Sequence, residues 1–408
     1  MILVTGATGF VGGEVLKRLL DETQDSVIAL VRASSLGDAR RRGRAALLAL
    51  YGRVKQRHLR RVEWLPADLE LERLGLSEED FARVAASIRD IYHCAASTRF
   101  DLPYDEARRI NVVGLHRIHD LAVAAGPAFR RLNHVSTAYV VGERPGATTA
   151  DFLPGPEGPF RNTYEQTKAE AERFLREQAR VPFAVFRPSI VVGDSQTGRT
   201  GNWNVVYFPM RLMADGKLPC VPHIGPALID CVPVDFVADA IVRLGRREGL
   251  DGQTINLTAG EAAISVRRVV EHTYAGLSRR AGREVPVATR PVGRLGWWLL
   301  SRWARLRHPG AARFFDRFAV YEPYCRVETQ LGNARELELL AEVGVALPDM
   351  DRAFARVVDY ALEENFGRER EHQAPAARPA SVRVQTALRS AVESFASGEI
   401  SGFGAIPA

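Results

Sequence analysis

The sequence has few cysteines and no long apolar run, and each scarcity excludes a class of protein. Its four cysteines are scattered over 408 residues without a CxxC pair or a histidine at metal-ligating spacing, so neither a metal site nor a disulfide framework is indicated. No apolar run approaches the roughly 20 residues of a membrane-spanning helix. The first predicted strand begins at Ile2, so no secretory signal peptide is expected. These features favour a cytoplasmic protein.

Lysine is also scarce, and arginine carries almost all of the positive charge. The chain has 55 basic and 49 acidic residues, and only four of the basic ones are lysines, which leaves 51 arginines. The acids are interspersed among them, and no basic stretch alternates with aromatic residues as in a nucleic-acid platform. We therefore expect the charge to solvate the surface, and we predict no nucleic-acid partner.

What is present is a globular composition in which strand and helix patterns alternate. With 46% hydrophobic residues, the chain can bury a large core. Strands buried on both faces and separated by helices indicate an α/β fold with a doubly wound parallel sheet of the Rossmann type. The apolar runs that predict these strands are Ile2 to Val4, Val27 to Val31, Val62 to Leu65, Ile88 to Cys94, Leu132 to Ser136 and Phe183 to Arg187.

A change of pattern predicts a second domain that is smaller, mostly helical and discontinuous in sequence. A glycine-rich polar segment follows Val192, and the sheet pattern resumes near Asp230 before helical patterns take over. We predict a dinucleotide-binding domain of residues 1–192 and 228–262, and a substrate-binding or lid domain of residues 193–227 and 263–367. Residues 368–408 resemble a linker and a tail with an amphipathic helical pattern at Val384, Leu388, Val392 and Phe395.

The opening segment ILVTGATGFVGG predicts a dinucleotide site. Gly6, Gly9 and Gly12 follow the first strand with the spacing G-x-x-G-x-x-G and open a helix, which lets the backbone approach a pyrophosphate at the positive helix end. A tight turn without a ligand is the alternative. The cofactor-binding residues expected here are Thr5, Gly6, Thr8, Gly9, Phe10, Val11 and Gly12.

An arginine stands where enzymes specific for NAD usually carry an acid. Arg32 ends the second strand and Arg42 lies on the following helix. A guanidinium there suits the 2′-phosphate of NADP, so we predict NADPH as the cofactor. An accidental arginine is the alternative in a chain with so many.

Tyr164 and Lys168 predict a catalytic pair. Four residues apart, they lie on one face of a helix, where the ammonium would favour the ionised phenol and reach a cofactor ribose. The spacing alone also occurs on solvated helices, but after a glycine loop and the segment HVSTAYV it indicates a hydride-transfer enzyme. Thr137 in that segment would hold the substrate oxygen and Tyr164 would donate its proton; Ser136 competes for the role of Thr137.

Together these segments resemble the extended short-chain dehydrogenases/reductases, and within them the thioester reductase and fatty acyl-CoA reductase, or male sterility, branch. LVRA, LGLSEEDF, YHCAAS, LPYDEARRINVVG and NTYEQTKAEAE carry the resemblance, which spans about residues 1 to 260. HVSTAYV and NTYEQTK look closer to fatty acyl-CoA reductases than to the reductase modules that end peptide synthetases. Beyond Gly260 the resemblance fades.

The resemblance implies roles for further residues. It favours Thr137 over Ser136, and Asn111 would complete a proton relay by positioning a water. Small residues after the fourth strand would pass beside the nucleotide, and Asp68 would contact the adenine. The cofactor contacts expected outside the glycine loop are Arg32, Arg42, Asp68, Leu69, Ala95, Ala96, Ser97, Lys168, Pro188, Ser189 and Ile190.

The implied activity is NADPH-dependent reduction of an acyl thioester, bound to coenzyme A or a carrier protein, to an aldehyde and, with a second hydride, an alcohol. This would place the protein in lipid metabolism. An extended dehydrogenase acting on an alcohol or ketone of a sterol or nucleotide sugar is the alternative. A dinucleotide sensor without chemistry is disfavoured by the intact Tyr164 and Lys168.

One basic, tryptophan-rich segment lies beyond the resemblance. The stretch from Leu295 to Phe318 combines three tryptophans with several arginines. Such a helix could make peripheral contact with an anionic membrane or border an acyl channel. A lid helix packed on the core is the alternative.

Overall fold

The computed structural model describes residues 1–203, 205–218, 220–222, 228–307, 318–319, 321–326 and 329–368. The described chain divides into two compact units. The first contains Met1–Asn202, Asp230–Ala263 and Thr329–Ala353, and the second contains the described parts of residues 203–229, 264–328 and 354–368.

A seven-stranded parallel sheet organises the first unit. Its strands are β1 Ile2–Thr5, β2 Val27–Val31, β3 Val62–Pro66, β4 Asp90–His93, β5 Arg131–Val135, β6 Phe183–Pro188 and β7 Gln253–Leu257. They lie in the order β7-β6-β5-β4-β1-β2-β3, with every neighbouring pair parallel. The predicted doubly wound α/β fold is confirmed.

Helices alternate with these strands along the chain. They are α1 Phe10–Glu22, α2 Leu36–Tyr51, α3 Gln56–Leu59, α4 Glu78–Ser87, α5 Tyr104–Arg108, α6 Gly114–Ala124, α7 Thr163–Gln178, α8 Tyr207–Ala214, α9 Val234–Gly245, α10 Val266–Ala281, α11 Arg294–Arg307, α12 Ala334–Glu342 and α13 Met350–Glu363. A π-helical turn, Arg109–Val113, joins α5 to α6. Short 3₁₀ turns span Glu72–Gly75, Gly126–Ala128, Ala138–Val141, Gly260–Ala262, Glu322–Arg326 and Asn365–Gly367.

In the part of the chain that the structure describes, eight short strands form four separate pairs outside the main sheet. Two pairs lie in the first unit: Ile190–Val192 with Cys231–Pro233, and Gly146–Thr148 with Thr329–Leu331. The other two lie in the second unit: Leu228–Ile229 with Ile264–Ser265, and Cys220–Pro222 with Arg290–Val292.

Both faces of the main sheet are covered, as the apolar strands require. Leu3, Ile91 and Leu132 pack on one face with buried residues of α4, α6 and α7. On the other face, α9 comes so close to Tyr92 and Asn133 that a side chain at Gly245 would be 3.0 Å from each. The strand order reverses between β1 and β4, and ligands of such sheets bind at the carboxyl ends of the strands at this point.

The first unit includes residues that we predicted from the sequence to belong to the lid domain. Thr329–Leu331 pairs with Gly146–Thr148, and Asn333 donates a hydrogen bond of 2.7 Å to the carbonyl of Thr258. These long-range contacts join residues 329–353 to the sheet unit, and such pairings leave no trace in a local pattern. The predicted tail lies outside the described residues from residue 369 onward.

The tryptophan-rich segment is only partly described, as α11. Trp297 is 3% exposed and its ring lies 5.3 Å from that of Phe318, whereas Trp298 is 49% exposed, with the Arg302 guanidinium 5.1 Å from its ring. Trp297 therefore belongs to the core of the second unit. Contact with a membrane or an acyl chain remains a prediction for Trp298 and Arg302. No helix in the described ranges has both the length and the hydropathy to cross a bilayer.

The contact between α2 and β3 predicts a stability effect. Gly43 is buried on α2, and an added methyl group would overlap the indole of Trp64. Gly43→Ala should therefore lower the free energy of unfolding by about 1–3 kcal/mol, measured by urea denaturation. Gly37→Ala is the matched control, because the nearest atom to its added methyl group is 3.8 Å away; it should be neutral or stabilising by up to about 1 kcal/mol. Equal effects of the two changes would contradict this packing.

Candidate active site

The glycine loop lies where the strand order of the sheet reverses. Gly6 has a φ of +73°, and a Cβ there would come within 2.8 Å of the backbone nitrogen of Ala95. A Cβ at Gly12 would overlap the carbonyl of Gly6. The loop after β1 therefore packs against the segment after β4, and only glycine allows this approach.

The start of α1 fits an anionic group. Gly9 is exposed, and helix α1 begins after it with no side-chain cap and no acidic residue in the first turn. The backbone N–H groups there, with the positive end of the helix dipole, can bind a pyrophosphate. Thr8 is exposed, and Phe10 and Val11 are half-buried beside this end.

The segment after β4 is held by Thr5 and Asn111. The hydroxyl of Thr5 accepts a hydrogen bond of 3.2 Å from the N–H of Ala95. Asn111, buried in the π-helical turn, accepts one of 2.8 Å from the N–H of Ser97 and donates to the Ser97 carbonyl and the Thr167 hydroxyl. The Asn111 amide thus orients the backbone beside the predicted nucleotide. Its role in a proton relay remains a prediction.

Two arginines meet at the carboxyl end of β2. Arg32 is exposed, and the guanidinium of Arg42 donates a hydrogen bond to the Arg32 carbonyl. The nearby Asp38 is engaged by Arg41. The region therefore presents positive charge suited to a phosphate.

The other predicted cofactor contacts lie on loops at the same edge of the sheet. The half-buried Asp68 follows β3, and its carboxylate accepts a hydrogen bond of 2.9 Å from the N–H of Glu70. Leu69 packs so closely on Gly114 that a Cβ there would lie 3.0 Å away. Pro188 ends β6, and the N–H groups of Ser189 and Ile190 donate to the carbonyls of Leu257 and Asp230. These positions fit a nucleotide across the sheet edge, and their individual contacts remain predictions.

Helix α7 brings Tyr164 to Thr137. The side chain of Asn162 caps the helix by accepting a hydrogen bond from the N–H of Glu165, which places Tyr164 in the first turn. Burial raises the pKa of the Tyr164 phenol to about 12, and a hydrogen bond with Thr137 acts in the opposite direction. The phenol is therefore protonated at neutral pH and can act as a proton donor.

Lys168 is buried one turn later. Its Nζ donates a hydrogen bond of 2.7 Å to the carbonyl of Val135 and lies 3.1 Å from Nε2 of His134. Burial lowers the pKa of Lys168 to about 8, while Glu172 and Cys94 act to raise it. Burial is the largest influence on the pKa of Tyr164, and the ammonium of Lys168 is hydrogen-bonded to β5. That Lys168 lowers the pKa of Tyr164 remains a prediction.

Ser136 takes part in a different network. It donates a hydrogen bond to the carboxylate of Glu172, which is paired at 2.6 Å with Arg187. Arg187, itself fully buried, donates to the carbonyls of Ala150 and Phe152 at 3.0 Å. The hydroxyl of Ser136 is thus engaged by Glu172, whereas Thr137 hydrogen-bonds with Tyr164. The sequence interpretation missed Glu172 and Arg187, although an arginine in the apolar run FAVFRP and an acid one turn after Lys168 were visible signals.

Residues 4–241, more than half of the chain, match the family model described as male sterility protein. The chain belongs to this family. The match includes the glycine loop, Thr137, Tyr164 and Lys168, and it confirms the branch of extended dehydrogenases/reductases predicted from the motifs. The cofactor of this family is a nicotinamide dinucleotide. The geometry of the glycine loop in this chain is consistent with such a cofactor.

Two curated relatives are much longer proteins. The chain is 33% identical over 282 residues to the glycine betaine reductase ATRR of Emericella nidulans, covering 66% of this chain and 22% of that protein. It is 32% identical over 253 residues to a linear gramicidin synthase of Brevibacillus parabrevis, covering 60% of this chain and 5% of that protein. The chain thus spans less than a quarter of the length of either relative.

A solved structure resembles nearly the whole chain. It is the terminal R domain from the myxalamid PKS-NRPS biosynthetic pathway, with a TM-score of 0.75 and 26% identity. The likeness covers 90% of this chain and 91% of that one.

Removing the phenol hydroxyl tests the assignment of Tyr164. Tyr164→Phe keeps the ring but removes the proton donor, so turnover should fall by at least about 10²-fold, while cofactor affinity, measured by fluorescence titration, stays nearly unchanged. Lys168→Ala should lower both the turnover and the affinity for the cofactor. Tyr104→Phe is the matched control, since Tyr104 hydrogen-bonds to Glu170, and it should retain full turnover. Near-normal turnover of Tyr164→Phe would exclude the proposed donor.

Proposed function

We propose that the protein is an NADPH-dependent reductase that converts an acyl thioester, bound to coenzyme A or a carrier protein, into an aldehyde. The observation that carries this proposal is the contact between Thr137 and the protonated Tyr164, one turn before the buried Lys168. The glycine loop beside β4 supports a dinucleotide next to this pair.

The chain's own residues stabilise charge on the substrate oxygen. When bound, NADPH supplies a hydride. Thr137 and Tyr164 would donate hydrogen bonds to the thioester oxygen as the carbonyl carbon accepts the hydride electron pair and the oxygen becomes negative. The carbonyl then re-forms, the carbon–sulfur bond breaks, and the thiolate leaves and takes up a proton. The product is an aldehyde, and a second reduction in the same site would give the alcohol.

The relatives bear on the carrier of the acyl group. One relative is named as a subunit of linear gramicidin synthase, and the solved R domain comes from the myxalamid PKS-NRPS biosynthetic pathway. This supports a carrier-bound thioester at least as strongly as the coenzyme A thioester suggested by the motifs. The thioester is therefore the proposed substrate, and thioesters of both carriers are needed to test it.

Product identification with a substrate panel tests the reaction. The protein would be incubated with NADPH and acyl-coenzyme A, acyl-pantetheine and carrier-bound thioesters of increasing chain length. If Trp298 borders an acyl channel, efficiency should rise with chain length, since each buried methylene contributes up to about 0.8 kcal/mol. Trp298→Ala should flatten that rise without affecting short substrates. Reduction of a ketone or sterol without reduction of any thioester would favour the alternative dehydrogenase.

Charge reversal at Arg32 tests the preference for NADPH. Arg32→Asp should shift the preference toward NADH, because repulsion replaces a charge-assisted contact worth about 1.5–3 kcal/mol. Arg53→Asp makes the same charge change at another exposed arginine and should leave the ratio of kcat/KM for the two cofactors unchanged. Equal efficiencies with NADPH and NADH in the unmodified protein would rule out a phosphate site at Arg32.

A further inference from the structure

A row of polar side chains crosses three neighbouring strands beneath the catalytic helix. Thr5 on β1 is in register with His93 on β4, which is in register with His134 on β5. Each follows by two residues an apolar residue that packs toward α4, α6 and α7, so the three side chains share that face. Thr5 Oγ1 lies 2.7 Å from His93 Nδ1, and the two imidazoles stack with centroids 5.4 Å apart.

The row ends at the ammonium of Lys168, where His134 must act as an acceptor. Burial, together with Lys168 and His93, holds the pKa of His134 well below its ordinary value. A neutral ring that faces an ammonium presents a lone pair at Nε2 and carries its proton on Nδ1. The 3.1 Å separation from Lys168 Nζ is that of a hydrogen bond donated to Nε2.

The other ring nitrogen is unsatisfied. Nδ1 of His134 is buried and has no hydrogen-bond partner among the described side chains and backbone. A buried N–H without a partner disfavours folding. An apolar side chain of similar shape at this position would therefore stabilise the core at least as much as histidine does. What the imidazole adds here is the acceptor for Lys168.

Two acceptors together orient the ammonium. Lys168 has three N–H donors, and within the described residues one points to the Val135 carbonyl and another to His134. Both acceptors lie on β5, so they restrict rotation about the terminal bond of the lysine and aim its remaining donor. In the proposed function, that donor is the one left for the cofactor ribose.

We propose that His134 is a positioning residue, which holds Lys168 charged and aimed through a hydrogen bond from Nζ to Nε2. The inference rests on the proposed function for its catalytic consequence but not for the contact itself. The titratable groups that act on the pair are His93 on β4, Cys94 after β4 and Glu172 on α7. Tyr164 lies one turn before Lys168 on α7.

The sign of the effect follows from the hydrogen bond. An acceptor stabilises the ammonium, so its loss lowers the pKa of Lys168 and the charge is lost at lower pH. His134→Leu should move the titration of Lys168, near pH 8 in the unmodified protein, down by about one unit. His134→Gln, whose longer side chain can place an amide oxygen near the position of Nε2, should restore it. His134→Asn is too short to do so and should behave as leucine does.

The scarcity of lysine makes this titration measurable without any enzymatic assay. Only Lys17, Lys55, Lys168 and Lys217 would give signals in a protein labelled with ¹³C at lysine Cε, and Lys168→Arg would assign the signal. His119→Leu is the matched control, because it replaces a buried histidine that accepts a hydrogen bond from the N–H of Arg180. It should leave the Lys168 titration unchanged.

Activity gives a second readout on the same variants. In thioester reduction by His134→Leu, the alkaline limb of the pH profile of kcat should move to lower pH together with the Lys168 titration. In His134→Gln it should lie at the same pH as in the unmodified protein. An unchanged Lys168 titration in folded His134→Leu or His134→Asn would overturn the inference. A shifted titration in a protein that reduces no thioester would leave the positioning role standing and reject the proposed function.

Discussion

The burial of one ammonium between α7 and β5 is the constraint on which the site depends. Lys168 loses its hydration there, and burial alone would drive it toward the neutral amine. Burial lowers the pKa of Lys168 to about 8, against the opposing effects of Glu172 and Cys94. The first unit also supplies two acceptors for the ammonium, the Val135 carbonyl and the His134 imidazole. The surrounding polar residues replace the water molecules that the Lys168 ammonium loses on burial.

Helix α7 links that charge to the rest of the first unit. One turn beyond Lys168, Glu172 forms a buried ion pair with Arg187 on β6, and Arg187 in turn binds two carbonyls of the segment near residue 150. Burying a charge pair is tolerated only where all its hydrogen-bonding groups are satisfied. The Ser136 hydroxyl completes that requirement, which explains why the two adjacent hydroxyls of Ser136 and Thr137 serve different purposes.

Much of the first unit could be predicted from the sequence, because its signals are local. The alternation of strand and helix, the glycines at Gly6 and Gly12 and the spacing of Tyr164 and Lys168 each constrain the chain within a few residues. The histidine row could not be predicted in the same way. It exists because β1, β4 and β5 lie side by side in one register, and strand order is a long-range property. The extent to which burial raises the pKa of Tyr164 could not be predicted either, since burial is a property of the whole fold.

The return of the chain at Thr329–Leu331 has a consequence for how this protein can be divided. Because the first unit is made of three separate stretches, the polypeptide passes from one unit to the other five times, at residues 202/203, 229/230, 263/264, 328/329 and 353/354. Units joined by several connections cannot be released from each other by cutting a single linker. A fragment that stops near residue 262 would contain every proposed catalytic side chain, yet it would lack the strand that pairs with Gly146–Thr148. Minimal versions of the protein, or exchanges of its second unit, must therefore preserve all of these junctions.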